Sequence, residues 1–171
     1  MKTNLNYDMF VPTRTLFGAG TLNELHAQPM PGRKALLVIS NGRSTRANSY
    51  LSRTEEQLRM AGVETVLFDR VEANPLKSTV MAGGAMAREN GCDMIVALGG
   101  GSVMDAAKAI AVVASNGGDY WDYIPCGTGK GKAVAETPLP IVAITTTAGT
   151  GSETDAGCVI TNAETHEKTG F

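Results

Sequence analysis

Two clusters of small and hydroxyl-bearing residues are the places where this chain could do chemistry. The first is Gly99-Gly100-Gly101-Ser102, which follows an apolar run directly. Consecutive glycines let a backbone approach a bulky anion closely, and a helix that starts at such a turn offers unpaired N–H groups and a positive dipole end. Ser102 adds a hydroxyl, and Asp105 and Lys108 follow one helical turn apart. Taken alone, the same four residues read equally well as a tight strand-to-helix connection with a serine cap. The second cluster is Thr145-Thr146-Thr147-Ala148-Gly149-Thr150-Gly151-Ser152-Glu153. Its small donors suit phosphate, ribose or carboxamide oxygens. Alone it reads more simply as a polar turn before a capped helix start. Two such turns in one sheet favour a dinucleotide.

The familiar fingerprints fail. There is no GxGxxG, because Met104 stands where the third glycine after Gly99 and Gly101 would be, and no GxxxxGK[ST] surrounds Lys130 or Lys132. No tyrosine stands four residues before a lysine and no GxSxG frames a serine, which removes support for short-chain dehydrogenase and α/β-hydrolase chemistry. His26 and His166 read as surface histidines, and no acidic or histidine cluster has metal-ligand spacing. Cys92, Cys126 and Cys158 are odd in number and far apart, so neither a disulfide framework nor a CxxC site is indicated. A net charge of −2 argues against a nucleic-acid partner. The start, MKTNLNYDMF, has no apolar core of a signal peptide, and no run reaches about 18 apolar residues. The expectation is a soluble, cytoplasmic protein without membrane contact.

The elements that position these turns are legible as an alternation of apolar runs and helical patterns. Ala35 to Ile39 is continuous and apolar, as in a strand buried on both faces. After Ser40-Asn41-Gly42 a helix carrying Leu51, Leu58 and Ala61 closes at Gly62, and Val63 to Phe68 reads as a second strand. A helix from Lys77 to Asn90 closes at Gly91, Asp93 to Leu98 is a third strand, and a helix with Val103, Ala106, Ala107, Ile110, Ala111 and Ala114 inward follows the glycines. Ile141 to Ile144 and Cys158 to Thr161 read as further strands of the same repeat. Repeated βαβ units predict an α/β, doubly wound, mostly parallel sheet with helices on both faces, a Rossmann-like single domain over residues 1–171. Ahead of it, Met9 to Val11 and Thr15 to Phe17 predict a short N-terminal hairpin, and Thr21 to Glu24 has capping-box spacing. The hairpin edge suggests a dimer. The Gly127 to Lys132 stretch reads as a solvated, mobile loop.

Pro12 to Gly20 (PTRTLFGAG), Asn74-Pro75, Asp93 to Lys108 (DMIVALGGGSVMDAAK) and Ala143 to Glu153 (AITTTAGTGSE), in this order and spacing, resemble the iron-containing (group III) alcohol dehydrogenases. The resemblance covers essentially the whole chain but only the N-terminal half of such an enzyme. It implies a dehydroquinate synthase-like dinucleotide domain. By it, Gly100, Gly101, Ser102 and Asp105 hold the pyrophosphate and adjacent ribose. Thr146, Thr147 and Thr150 line the cofactor toward its nicotinamide, and Asn74 and Lys168 approach it. The family's divalent metal, Fe or Zn, is held by one Asp and three His at positions that lie beyond Phe171. This half is therefore expected to bind cofactor without catalysing alone, and no catalytic or metal residue is assigned within it.

The family commonly carries an aspartate at the end of its first strand, where a carboxylate selects NAD over NADP. That position corresponds to Ser40, followed by Asn41, Gly42 and Arg43. Without the carboxylate a 2'-phosphate is not repelled, and Arg43 with these small donors can bind one. The expected cofactor is NADP or NAD, with NADP favoured; the alternative reading of Arg43 is a solvated turn residue. The intact enzyme would pass hydride between nicotinamide and a small alcohol or aldehyde. Other readings are a stand-alone nucleotide-binding or interaction module, or a glycerol dehydrogenase-like relative. Exposed apolar surface on the half-enzyme predicts association of the isolated chain or loss of order after about Thr146.

Overall fold

The computed structural model describes residues 11–170. Its centre is formed by two strands with almost no polar side chains, β1 (Lys34–Ser40) and β3 (Met94–Gly99). β2 (Glu64–Val71) and β4 (Ile141–Thr145) flank them, and the four pair in parallel in the order β2-β1-β3-β4. Side chains alternate between the faces of a strand, so each central strand feeds two cores. Ala35, Leu37, Ile39, Met94, Val96 and Leu98 meet Leu25, Leu51 and Leu58 on one face. Leu36, Val38, Ile95 and Ala97 meet Val80, Ala106 and Ile110 on the other. Each fully buried large aliphatic chain contributes roughly 1.5–3 kcal/mol, which is why the continuous apolar runs take the centre.

The first face is covered by a 3-10 helix (Thr21–Ala27), α1 (Ser44–Ala47) and α2 (Tyr50–Met60); the second by α3 (Lys77–Glu89) and α4 (Gly101–Asn116). Gly62 and Gly91, at φ 72° and 62°, end α2 and α3 in the left-handed conformation expected of them. α3 lies close on α4 because Gly83 has no side chain: a Cβ there would come within 2.8 Å of Ile110 Cγ1.

Four expectations are corrected. Thr15 to Phe17 forms no strand; the described residues of this segment are exposed, Phe17 to 96%, and Met9 and Phe10 lie outside the described residues. No described element offers them a ladder, and two strands without a packed face are marginal in water. The capping box at Thr21 does not form. The N-cap is Gly20 in the left-handed region, the helix is 3-10, and the Thr21 hydroxyl turns back to donate to Gly18 O at 3.1 Å.

The run at Cys158 to Thr161 is a strand, β5 (Val159–Asn162), but it pairs antiparallel with β6 (Glu167–Gly170) outside the parallel sheet. A parallel neighbour needs a crossover of a dozen or more residues, usually a helix. Residues 146–158 contain only turns, so the chain reverses through a tight turn instead, with His166 at φ 58°. The Gly127 to Lys132 loop is solvated but pinned: Gly131 N donates to Ile124 O, Lys132 N to Asp122 O, and Lys130 pairs with Asp122 at 2.7 Å.

Candidate functional site

β1 sends the chain to β2 on one side and β3 takes up its other side, so the strand order reverses between β1 and β3. In open α/β sheets such a reversal leaves a crevice beyond the carboxyl ends of the two strands. Those ends are Ser40 and Gly99. The glycine turn opens at Gly99, and the threonine-rich turn opens beside it at the end of β4.

The N-cap of α4 is Gly100, with no side chain capping the helix end. Val103 N and Met104 N donate to Gly100 O at 3.0 and 3.1 Å, so the N–H groups of Gly101 and Ser102 precede the first intrahelical bonds. The threonine-rich turn lies against this end. Thr146 N donates to Gly99 O at 2.9 Å, extending the β3–β4 register, in which Gly99 faces Thr145. A Cβ on Gly100 would lie 3.1 Å from Thr147 Oγ1, and one on Gly101 would lie 2.8 Å from Thr150 Oγ1. The two turns therefore share one surface, and glycine is the residue that permits their contact.

Asp105 and Lys108 fix the far side of that surface. Ser152 Oγ donates to Asp105 Oδ1 at 2.7 Å and Val159 N donates to Asp105 Oδ2 at 3.1 Å, so both carboxylate oxygens are engaged by the chain itself. Lys108 Nζ donates to Ser152 Oγ, Asp155 Oδ1 and Gly157 O at 2.7–2.8 Å. Asp105 is thus a brace between α4 and the 150–159 segment. A cavity of about 510 Å3 opens beside it, lined by Thr150, Ser152, Gly157, Cys158 and Val159. A wider concavity of about 800 Å3, over Ser52, Arg59 and Glu64, lies at the opposite, amino end of the sheet and holds neither turn.

Asn74 follows β2 at φ 56°, and Lys168 Nζ donates to its Oδ1 at 2.6 Å across 94 residues. The structure thus brings these two predicted residues together, with the β5–β6 hairpin carrying the lysine. At the other end of the crevice, Ser40 is half-buried and Asn41, Gly42 and Arg43 are exposed. Asn41 N donates to Val71 O at 2.8 Å, which continues the β1–β2 pairing past Ser40. Arg46 pairs with Asp69 at 2.7 Å beside it.

Burial pushes the thiols of Cys92 and Cys158 up, and it pushes the Tyr120 hydroxyl up too; Cys158 Sγ lies 3.2 Å from Tyr120 Oη behind the 510 Å3 cavity. Both groups are uncharged packing groups there. Residues missed by sequence reasoning are the set Thr128, Glu167 and Trp121; Ser152, read as part of the threonine-rich turn, joins Asp105 to Lys108. Glu167 is held below the usual carboxylate range by hydrogen bonds from Thr128 and Thr165. The one local signal was the run of two hydroxyl donors and a carboxylate around His166; nothing local pointed to Thr128.

Residues 12–171 match iron-containing alcohol dehydrogenase. The chain belongs to that family. It is 39% identical over 165 residues to the 1,3-propanediol dehydrogenase of Klebsiella pneumoniae, covering 95% of this chain and 41% of that protein. The crystal structure of an archaeal halo-thermophilic Red Sea brine pool alcohol dehydrogenase superposes with a TM-score of 0.89 at 39% identity, over 98% of this chain and 43% of that one. The sulfoacetaldehyde reductase of Bifidobacterium kashiwanohense, solved with NAD+, superposes at 0.82 with 29% identity, over 98% and 43%.

This iron-containing alcohol dehydrogenase chain thus spans about two fifths of the length of its relatives. Among the described residues no three His, Cys, Asp or Glu side chains converge as a metal site. Nor is any helix among them long and apolar enough to cross a membrane. The space that a Cβ on Gly100 or Gly101 would need is taken up by Thr147 and Thr150, so the glycines let the two turns pack together beside the uncapped start of α4.

Proposed function

We propose that this chain is the cofactor-binding portion of an NAD(P)-linked alcohol dehydrogenase that moves hydride between nicotinamide and a small alcohol or aldehyde. The observation that carries the reading is the contact of Gly100 and Gly101 with Thr147 and Thr150 at an uncapped helix end, where the strand order reverses. Gly100, Gly101 and Ser102 present N–H groups and a positive helix end to the pyrophosphate. Thr146, Thr147 and Thr150 run from there toward the nicotinamide, which supplies the hydride chemistry when bound. Asn74 and Lys168 approach the cofactor from the hairpin side, and Asp105 acts by holding Ser152 and the 150–159 segment in place. The metal-dependent activation of the alcohol belongs to residues outside this chain.

At the adenosine end, Ser40, Asn41, Gly42 and Arg43 present small donors and a guanidinium with no carboxylate of their own. This favours NADP: a charge-assisted bond to a 2'-phosphate contributes about 1.5–3 kcal/mol, or roughly tenfold to hundredfold in affinity. The test is calorimetric titration of the chain with NADPH and NADH. Tighter NADPH binding, lost in Arg43→Ala, is the expected result. Tighter NADH binding refutes the NADP preference, and binding of neither refutes the cofactor role.

A further inference from the structure

The loop Cys126-Gly127-Thr128 and strand β6 meet in a way that the cofactor reading leaves unused. Successive residues of a strand point to opposite faces. Glu167 and Thr169 point toward the loop, and Lys168, between them, points away to Asn74. Glu167 accepts from Thr128 N at 2.9 Å, from the Thr128 hydroxyl, and from Thr165 Oγ1 at 2.7 Å. Thr169 Oγ1 lies 3.1 Å from Cys126 Sγ. The Thr128 hydroxyl, having donated to Glu167, accepts from Trp121 Nε1 at 2.9 Å, which ties the grip to a buried indole.

Gly127 makes the grip possible twice over. Its φ is 58°, and a Cβ there would overlap Glu167 Oε1. Among the described residues β6 pairs only with β5; β5 is tied to Pro75 through Thr161 N, whereas β6 has no second ladder, so contacts from outside the hairpin hold it in place. Register matters because a one-residue slip turns every side chain to the other face. A slipped β6 would point Lys168 away from Asn74.

We propose that Glu167, gripped by the Cys126–Thr128 loop, is a positioning residue that holds Lys168 on Asn74 at the cofactor site. The claim rests on the reading of Lys168 and Asn74 as cofactor-facing residues; the Glu167 grip itself does not.

The test uses the full chain and two readouts. First, the dissociation constant for NADPH is measured for the wild type, Glu167→Gln, Lys168→Met and the double variant. Glu167→Gln is expected to weaken binding about tenfold in the wild type and to have almost no effect once Lys168 is gone, since contacting residues couple. Equal losses in both backgrounds overturn the proposal. Second, the side-chain amide resonances of Asn74 are followed without cofactor. Glu167→Gln is expected to shift them as Lys168→Met does, and unchanged resonances overturn the proposal. If the wild-type chain binds no dinucleotide, the cofactor reading fails while the Asn74 resonances still decide the grip. Thr128→Val stands in should Glu167→Gln not fold, and Thr128→Ser, which keeps the hydroxyl, is expected to behave as wild type.

Discussion

Replacing Gly101 by alanine separates packing from ligand binding at the contact of the two turns. Gly101 is the first residue of α4, in backbone that alanine adopts freely, so the perturbation is the methyl group alone. That methyl would lie 2.8 Å from Thr150 Oγ1 and 3.0 Å from Thr150 Cγ2, so the threonine has to move. Overpacking of this kind costs about 1–3 kcal/mol. Alanine returns up to about 1 kcal/mol in helix propensity. The net loss of stability is therefore about 0–3 kcal/mol, a fall in Tm of up to about 12 °C for a chain of this size. In the free chain part of the strain is relieved by rotation of Thr150. A bound dinucleotide that uses Thr150 removes this freedom, so the part relieved in the free chain, at most about 3 kcal/mol, appears as a loss of affinity of up to roughly 150-fold. Thermal unfolding and calorimetric titration with NADPH read the two quantities on the same sample. Unchanged affinity beside a lowered Tm refutes the binding role and leaves only a packing contact; no change in either refutes the geometry.

Two further outcomes follow from the titratable groups. Under native conditions a thiol reagent is expected to label Cys126 alone, because Cys126 is exposed while Cys92 and Cys158 are buried with their thiols pushed up; peptide mapping that finds Cys92 or Cys158 modified at a comparable rate contradicts this. Asp93 is held below its usual range by hydrogen bonds from Lys34 N and Arg33 N, which fasten the start of β3 to the start of β1. Because the folded value is depressed, its stabilisation is complete above the unfolded carboxylate value near 3.9 and fades as pH falls through the folded value. Urea unfolding should therefore show Asp93→Asn less stable than wild type at pH 7, with the gap closing below about pH 4. A gap that does not narrow as pH falls below about 4 overturns this assignment.

How far each feature was legible depended on the range of the interaction that makes it. β1 and β3 were readable because strands buried on both faces must be apolar at every position, and Gly62 and Gly91 were readable because a helix end in the left-handed region selects glycine. β6, Glu-Lys-Thr-Gly, was not read as a strand, since a polar run on an exposed hairpin carries no apolar period. The N-terminal hairpin was over-read: Thr15 to Phe17 has strand-forming residues, but nothing among the described elements completes its ladder.

The same division holds in the site. The sequence determined the chemistry available at each turn, because glycines, hydroxyls and the start of α4 follow directly from residue type and local propensity. Only the tertiary structure decided that the two turns touch and that Asp105 is spent on Ser152 and Val159 rather than left open. It also decided that Glu167 lodges in a loop 39 residues away. Such contacts are selected by the packing of whole elements against the sheet, and no periodicity within one segment encodes which distant residue will face it.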